Sequence, residues 1–245
     1  MHSGVQAAVL TAMVAAASPG LAQQRLSVGA ELATDESRRG ISWSENRLSP
    51  SMDATFGAGP LEASARVAST RGSDRHAGAD AVADLGLAYS WDVGGVRLEA
   101  NGAAHLFAGA RGGMDYVEFG GQGSYTLGPA RVSAGAQYAP DQDAIGGSNL
   151  YLYANASSGV PGTPFTLLAG VGRSSGNVDD PVRAARLRPD GRYSDWRLGI
   201  EYVVPFATLG LDYVGTDIDT DGLRRPFADL KHSGDRLVGR VRVSF

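Results

Sequence analysis

The chain has 245 residues, with 22 basic and 26 acidic side chains, 34 glycines and no cysteine. Without cysteine there is no disulfide framework, no thiol nucleophile and no thiolate-held metal, and a net charge of −4 argues against nucleic acid as the main partner. A mean hydropathy of −0.14 with no long central apolar run excludes a polytopic helical membrane protein. It does not exclude a membrane β-barrel, whose alternating strands cancel in the average. Glycine stands at about twice its usual ~7%, and no Gly-X-Y period explains it.

Residues Met1 to Ala22 carry no Lys, Arg, Asp or Glu. Val5 to Ala17 is an apolar run of signal-peptide length, Ser18-Pro19 ends it, and Gly20 and Ala22 place small residues at −3 and −1 of a cleavage site. These features predict a signal peptide over 1–22 and one exported domain over 23–245.

From residue 24 onward the apolar period is two, the mark of strands. Leu26, Val28, Ala30 and Leu32 alternate with Arg25, Ser27 and Glu31. Met52 and Phe56 oppose Asp53, and Leu61 and Val67 oppose Glu62 and Arg66. Leu85, Leu87, Tyr89 and Trp91 oppose Asp84, and Val96 and Leu98 oppose Arg97 and Glu99. Val117, Phe119 and Tyr125 oppose Glu118, and Val132 and Tyr138 oppose Arg131. Leu150 and Leu152 alternate with Tyr151 and Tyr153. Phe165, Leu167 and Val171 follow, with Leu168 out of pattern. Trp196, Leu198, Ile200 and Tyr202 oppose Arg197 and Glu201, and Leu209, Leu211 and Tyr213 oppose Asp212. Last, Leu237, Val241, Val243 and Phe245 oppose Arg240 and Arg242.

These twelve segments are joined alternately by short turns and by long polar loops, near 34–49, 70–79, 107–114, 139–148, 173–191 and 216–234. That layout predicts an all-β fold, an antiparallel transmembrane β-barrel of about twelve strands, in the bacterial outer membrane. The apolar faces carry aromatics near their ends, as lipid-facing girdles do. The charged faces are rich in Gly and Ser, as suits a narrow lumen. Terminal Phe245 on an alternating strand matches the signal read by the barrel assembly machinery, a predicted partner beside lipid. No cofactor is implied.

The predicted lumen face carries seven arginines and eight carboxylates: Arg25, Glu31, Asp53, Glu62, Arg66, Asp84, Arg97, Glu99, Glu118, Arg131, Arg197, Glu201, Asp212, Arg240 and Arg242. Two designs fit this balance: a paired network that plugs the barrel, or a narrow polar channel of weak selectivity. The shared faces of Arg197, Arg240 and Arg242 predict a basic wall. A barrel-embedded hydrolase would need a Ser/His or Asp/His grouping; His76 and His232 fall in long loops and read as solvated charge, His105 lies near a strand end, and no nucleophile elbow occurs. Asp217, Asp219 and Asp221 open a calcium-loop-like D-x-D-x-D-G run, but Ala228 stands where position 12 needs Glu.

Five stretches resemble the TorF family of porins. Thr34 to Ser44 (TDESRRGISWS) is similar to its "S-D-Y…R-G-I-S-x-S" segment, with Glu36 in place of the tyrosine. Met114 to Glu118 is similar to its "Y-V-E" strand and Tyr138 to Asp141 to its "Y-S-P-D" strand end. Tyr193 to Gly199 resembles "Y-T-D-W-K-L-G" and Leu211 to Asp217 resembles "L-x-Y-V-G-T-D". The third strand is poorer in aromatics than the family's. The resemblance implies an outer-membrane porin passing small polar solutes or ions. The alternatives are a structural or interaction barrel with a plugged lumen and, less favoured, the embedded hydrolase.

Overall fold

The computed structural model describes residues 24–219, 221 and 226–245; the predicted signal peptide lies outside them. The strands are β1 (Gln24–Ala33), β2 (Ser37–Arg38), β3 (Ile41–Ser42), β4 (Ser49–Ala58), β5 (Leu61–Ser73), β6 (Ala79–Val93), β7 (Val96–Ala108), β8 (Tyr116–Leu127), β9 (Ala130–Gln142), β10 (Gly147–Gly159), β11 (Phe165–Ser175), β12 (Tyr193–Val204), β13 (Ala207–Thr216) and β14 (Arg236–Ser244). All but β2 and β3 form one closed antiparallel barrel of twelve strands. Each strand pairs with its neighbours along the chain, and β1 closes on β14 from Gly29↔Ser244 to Ala33↔Arg240. Phe245 extends the seam: its N–H donates to Val28 O at 2.8 Å and its carbonyl accepts from Val28 N at 3.2 Å.

Long loops L1 (34–48), L2 (74–78), L3 (109–115), L4 (143–146), L5 (176–192) and L6 (217–235) gather at one end and short turns at the other. Several strands outrun the sequence expectation. β5 continues to Ser73 and β9 to Gln142, where loops were expected from 70 and 139. With 13 residues each they exceed the 9–11 a bilayer needs, and so carry the sheet past the membrane. A register shift between Ser69 and Ser73 accommodates the extension in β5.

The two faces are inverted relative to a soluble protein. Leu26, Met52, Val67, Leu87, Phe119, Leu152, Val171, Leu198 and Leu211 are exposed on the outside. Tyr89, Trp91, Tyr125 and Tyr202 are exposed near the short-turn end, Tyr138 and Tyr213 near the long-loop end. These are the two girdles of a membrane barrel. The interior-facing glycines have a specific use. Arg242 on β14 reaches across β1 to bond Asp53 on β4 at 2.6 and 2.9 Å. The pair lies over Gly29, where a Cβ would strike both side chains. Gly172 likewise leaves room for the Tyr151 hydroxyl. The remaining apolar core is inside the barrel at the long-loop end, around Ile41, Trp43, Phe107, Tyr116, Ile145 and Tyr193.

Two stability outcomes follow. Leu211→Arg, at the middle of an outward face, is expected to cost about 2–4 kcal/mol of unfolding free energy in bilayers. Gly29→Val is expected to cost about 1–3 kcal/mol by overpacking the seam. Both are read as lowered urea midpoints for the folded band in unheated gels; unchanged midpoints would contradict the assigned faces.

Candidate functional site

L1 does not stand in solvent. It folds into the barrel mouth. β2 and β3 pair as Ser37↔Ser42 and Arg38↔Ile41, around Arg39 and Gly40 with φ of 49° and 73°. Positive φ at both central residues is the two-residue hairpin turn that favours glycine. A Cβ at Gly40 would also strike Thr216, Asp195 and the Gly215 carbonyl, so the tip is wedged against the wall.

The tip's two arginines meet wall carboxylates. Arg38 forks onto Asp84 of β6 at 3.0 and 2.7 Å and donates from Nε to Glu36 at 2.9 Å; its guanidinium lies 4.2 Å from the Trp43 ring centroid. Arg39 bonds Glu118 of β8 at 2.5 Å, and Tyr193 donates to its carbonyl at 3.0 Å. Arg66 of β5 forks onto Glu36 at 2.7 and 2.9 Å, and His105 Nδ1 sits 2.7 Å from Asp84. From the other side Arg236 bonds Asp35, the Gly40 carbonyl and Ser37 at 2.7–2.8 Å. Burial by itself would raise the Glu36 carboxyl, but Arg66 and Arg38 more than offset it and hold it below the usual carboxylate range.

The remaining sequence-predicted positions divide into paired and unpaired sets. Arg197 and Arg240 share Asp212, and Arg240 also bonds Glu201 at 2.6 Å. Arg242 is taken by Asp53. The predicted basic wall is therefore neutralised residue by residue, because confined charge is costly unless matched. Glu31 lies 4.0 Å from Arg66. Glu99 accepts from Asn101 and Gln122, and Arg131 donates to Ser124. Arg25, Glu62 and Arg97, toward the short-turn end, have no ion-pair partner within 4.0 Å among the described residues. Leu168, out of pattern in the sequence, faces inward beside Gly199.

Below the L1 tip lies a polar cavity of about 520 Å³, bordered by Glu31, Arg38, Arg66, Tyr151, Asp195 and Arg240 among others. Above it the loops are locked together. Arg75 is fully buried and donates to the carbonyls of Ser42, Arg186 and Asp229 at 2.8–3.0 Å and to Ser233 Oγ at 3.2 Å. Arg186, also fully buried, bonds the carbonyls of Met114 and Ala144 and the Nδ1 of His76, with Phe107 4.2 Å away. Two side chains thus tie all six long loops. His76, expected as solvated loop charge, is instead buried against Trp43 and Phe107. Burial and the neighbouring Arg186 and Arg75 push its imidazole well below the ordinary value, so it accepts the Arg186 bond as a neutral ring. No loop signal in the sequence marked this cluster, since its members come one or two from each loop.

His232 sits on Asp229 at 2.8 Å. Asp217 accepts the Ser194 N–H and Asp219 the Asp221 N–H; among the described residues no three ligand-type side chains gather to hold a metal.

The family described as "Bacterial protein of unknown function (Gcw_chp)" matches residues 16–235. The chain belongs to this family. No curated protein matches the chain by sequence. Among solved structures, a KdgM porin is similar over 89% of this chain and 99% of its own, with TM-score 0.58 and 7% identity. A membrane protein solved in a study of in-meso crystallization is similar over 90% of this chain and 83% of its own, with TM-score 0.52 and 11% identity. These likenesses establish the fold of this Gcw_chp member as a closed antiparallel barrel of the kind that crosses a membrane.

Two measurements test the site. With Trp91 and Trp196 changed to Phe, Trp43 reports on L1. Glu36 has a lowered folded value, so its contribution is full above the ordinary carboxylate value of 4.5 and is lost as pH falls through the lower one. Trp43 emission should hold from neutral pH to 4.5 and shift to the red only below it. For the loop lock, Arg75→Leu orphans buried carbonyls at about 2 kcal/mol; proteinase K, which does not require arginine, added from outside should then cleave the loops roughly 30-fold faster, while exposed Arg111→Leu leaves the rate unchanged.

Proposed function

We propose that this protein is a porin-like channel of the TorF type, residing in the bacterial outer membrane and passing small polar solutes or ions, with no enzymatic activity of its own. The observation that carries the reading is a closed twelve-strand barrel whose interior is lined by charged and small polar side chains around a cavity of about 520 Å³ beneath an inward-folded loop. A loop that narrows a polar barrel from within creates a constriction, where facing arginines and carboxylates strip part of a solute's hydration and replace it with fixed charge. Twelve strands make a narrower tube than the 16–18 of open porins, so the expected conductance is small. The near balance of charge supports weak ion selectivity. Bilayer lipid and, during biogenesis, the assembly machinery that reads Phe245 complete the proposed partners.

One observation favours a second reading. The loop lock made by Arg75 and Arg186 covers the outer mouth, which suits a barrel with a plugged lumen. Liposome swelling and planar-bilayer recording separate the two. A channel gives small discrete conductance and flux of monosaccharide-sized solutes, and Arg38→Ala/Arg39→Ala, which frees the L1 tip, raises conductance several-fold. Absence of conductance and flux in both the native protein and this variant would reject the channel.

A further inference from the structure

Glu31, Glu62 and Glu99, which keep more contact with solvent, have no arginine closer than 4.0 Å among the described residues, but the buried interior carboxylates are matched to arginines with one exception. Asp35, Glu36, Asp53, Asp84, Glu118, Glu201 and Asp212 each have an arginine within 3.1 Å. Asp195 of β12 does not. It is 93% buried, since only 7% is exposed. One carboxylate oxygen accepts from the Tyr151 hydroxyl at 3.1 Å, and the other has no donor among the described residues. It borders the cavity under the L1 tip.

The nearby cations are committed elsewhere. Arg39 is bonded to Glu118, with its guanidinium 4.5 Å from the Tyr151 ring centroid. Arg197, two residues along the same face, spends Nε and one amino group on Asp212. Asp217, next to the site through its bond to the Ser194 N–H, adds negative charge. A buried carboxylate with one neutral donor is a standing cost, and where the other buried carboxylates are paired it marks a place left for a cation from outside.

We propose that this cavity is a binding site for small organic cations bearing a protonated amine, with Asp195 as the anchoring carboxylate and Tyr151 as the residue that orients it. A cavity of about 520 Å³ holds roughly 17 water volumes at ~30 Å³ each, which leaves room for an amino sugar with part of its hydration. The hydroxyls of such a solute meet Asn155 and the outer edge of Arg240, both on the cavity wall. The ammonium replaces hydration with a charge-assisted bond to Asp195. This deepens the channel reading by naming a solute class.

The probes are glucosamine, N-acetylglucosamine and glucuronate, which share a ring and differ in charge. The full-length barrel is titrated with each by calorimetry in detergent and then assayed for swelling in liposomes. Expected is a roughly fivefold or greater preference for glucosamine over N-acetylglucosamine, abolished in Asp195→Asn and reduced in Tyr151→Phe. Asn keeps the shape and removes only the charge; if it unfolds the barrel, the Tyr151→Phe result decides. Equal binding of the three sugars, or a preference that survives Asp195→Asn, overturns the site. Preferential binding without flux of any sugar supports the site and rejects the channel; flux without preference retains the channel and rejects the site.

Discussion

A strand in lipid must give every backbone N–H and C=O a neighbouring strand. In this protein that requirement is met only when β1 and β14 meet, and the side chains over the junction have to be compatible with it. Arg242 and Asp53 cross β1 above Gly29. The ion pair therefore ties β14 to β4 over the closing strand, and the glycine exists to let it pass. The same logic recurs inside, where a flat glycine on one strand accommodates a long polar side chain leaning from the next. The glycine excess is the space requirement of a polar interior in a narrow tube.

That arrangement was legible in outline. Period-two alternation marked all twelve barrel strands, because burial in lipid imposes it on every one. The faces were legible too: Arg242 and Asp53 fall on the charged side by parity alone. Their partnership was not, since β4 and β14 are far apart in sequence and neither carries a mark of the other. Parity placed Arg197, Arg240 and Arg242 together as a basic surface. Matching each to a carboxylate required the register, which sets who lies beside whom.

The loops were legible least. Trp43, His76, Phe107 and Tyr116 come from four separate stretches, and each looks unremarkable alone. What joins them is the inward fold of L1, driven by Arg38 and Arg39 finding Asp84 and Glu118. Buried arginines such as Arg75 and Arg186 have no carboxylate partner among the described residues; they are solvated by carbonyl oxygens, which sequence does not display. A lone arginine in a polar loop reads as surface charge until the backbone around it is known.

The lock around Arg75 and Arg186 bears on how this barrel can diverge and be engineered. Exposed barrel loops ordinarily accept inserted peptides independently, each one a private site for surface display. Here all six loops share buried anchors, L3 through the Met114 carbonyl, so lengthening any of them at its anchor disturbs the others. Points away from the anchors are open: Gly112 and Gly113 at the tip of L3 and Gly191 in L5 have nothing within 4 Å of where a side chain would begin. Variation, and any grafted epitope, is channelled to such points.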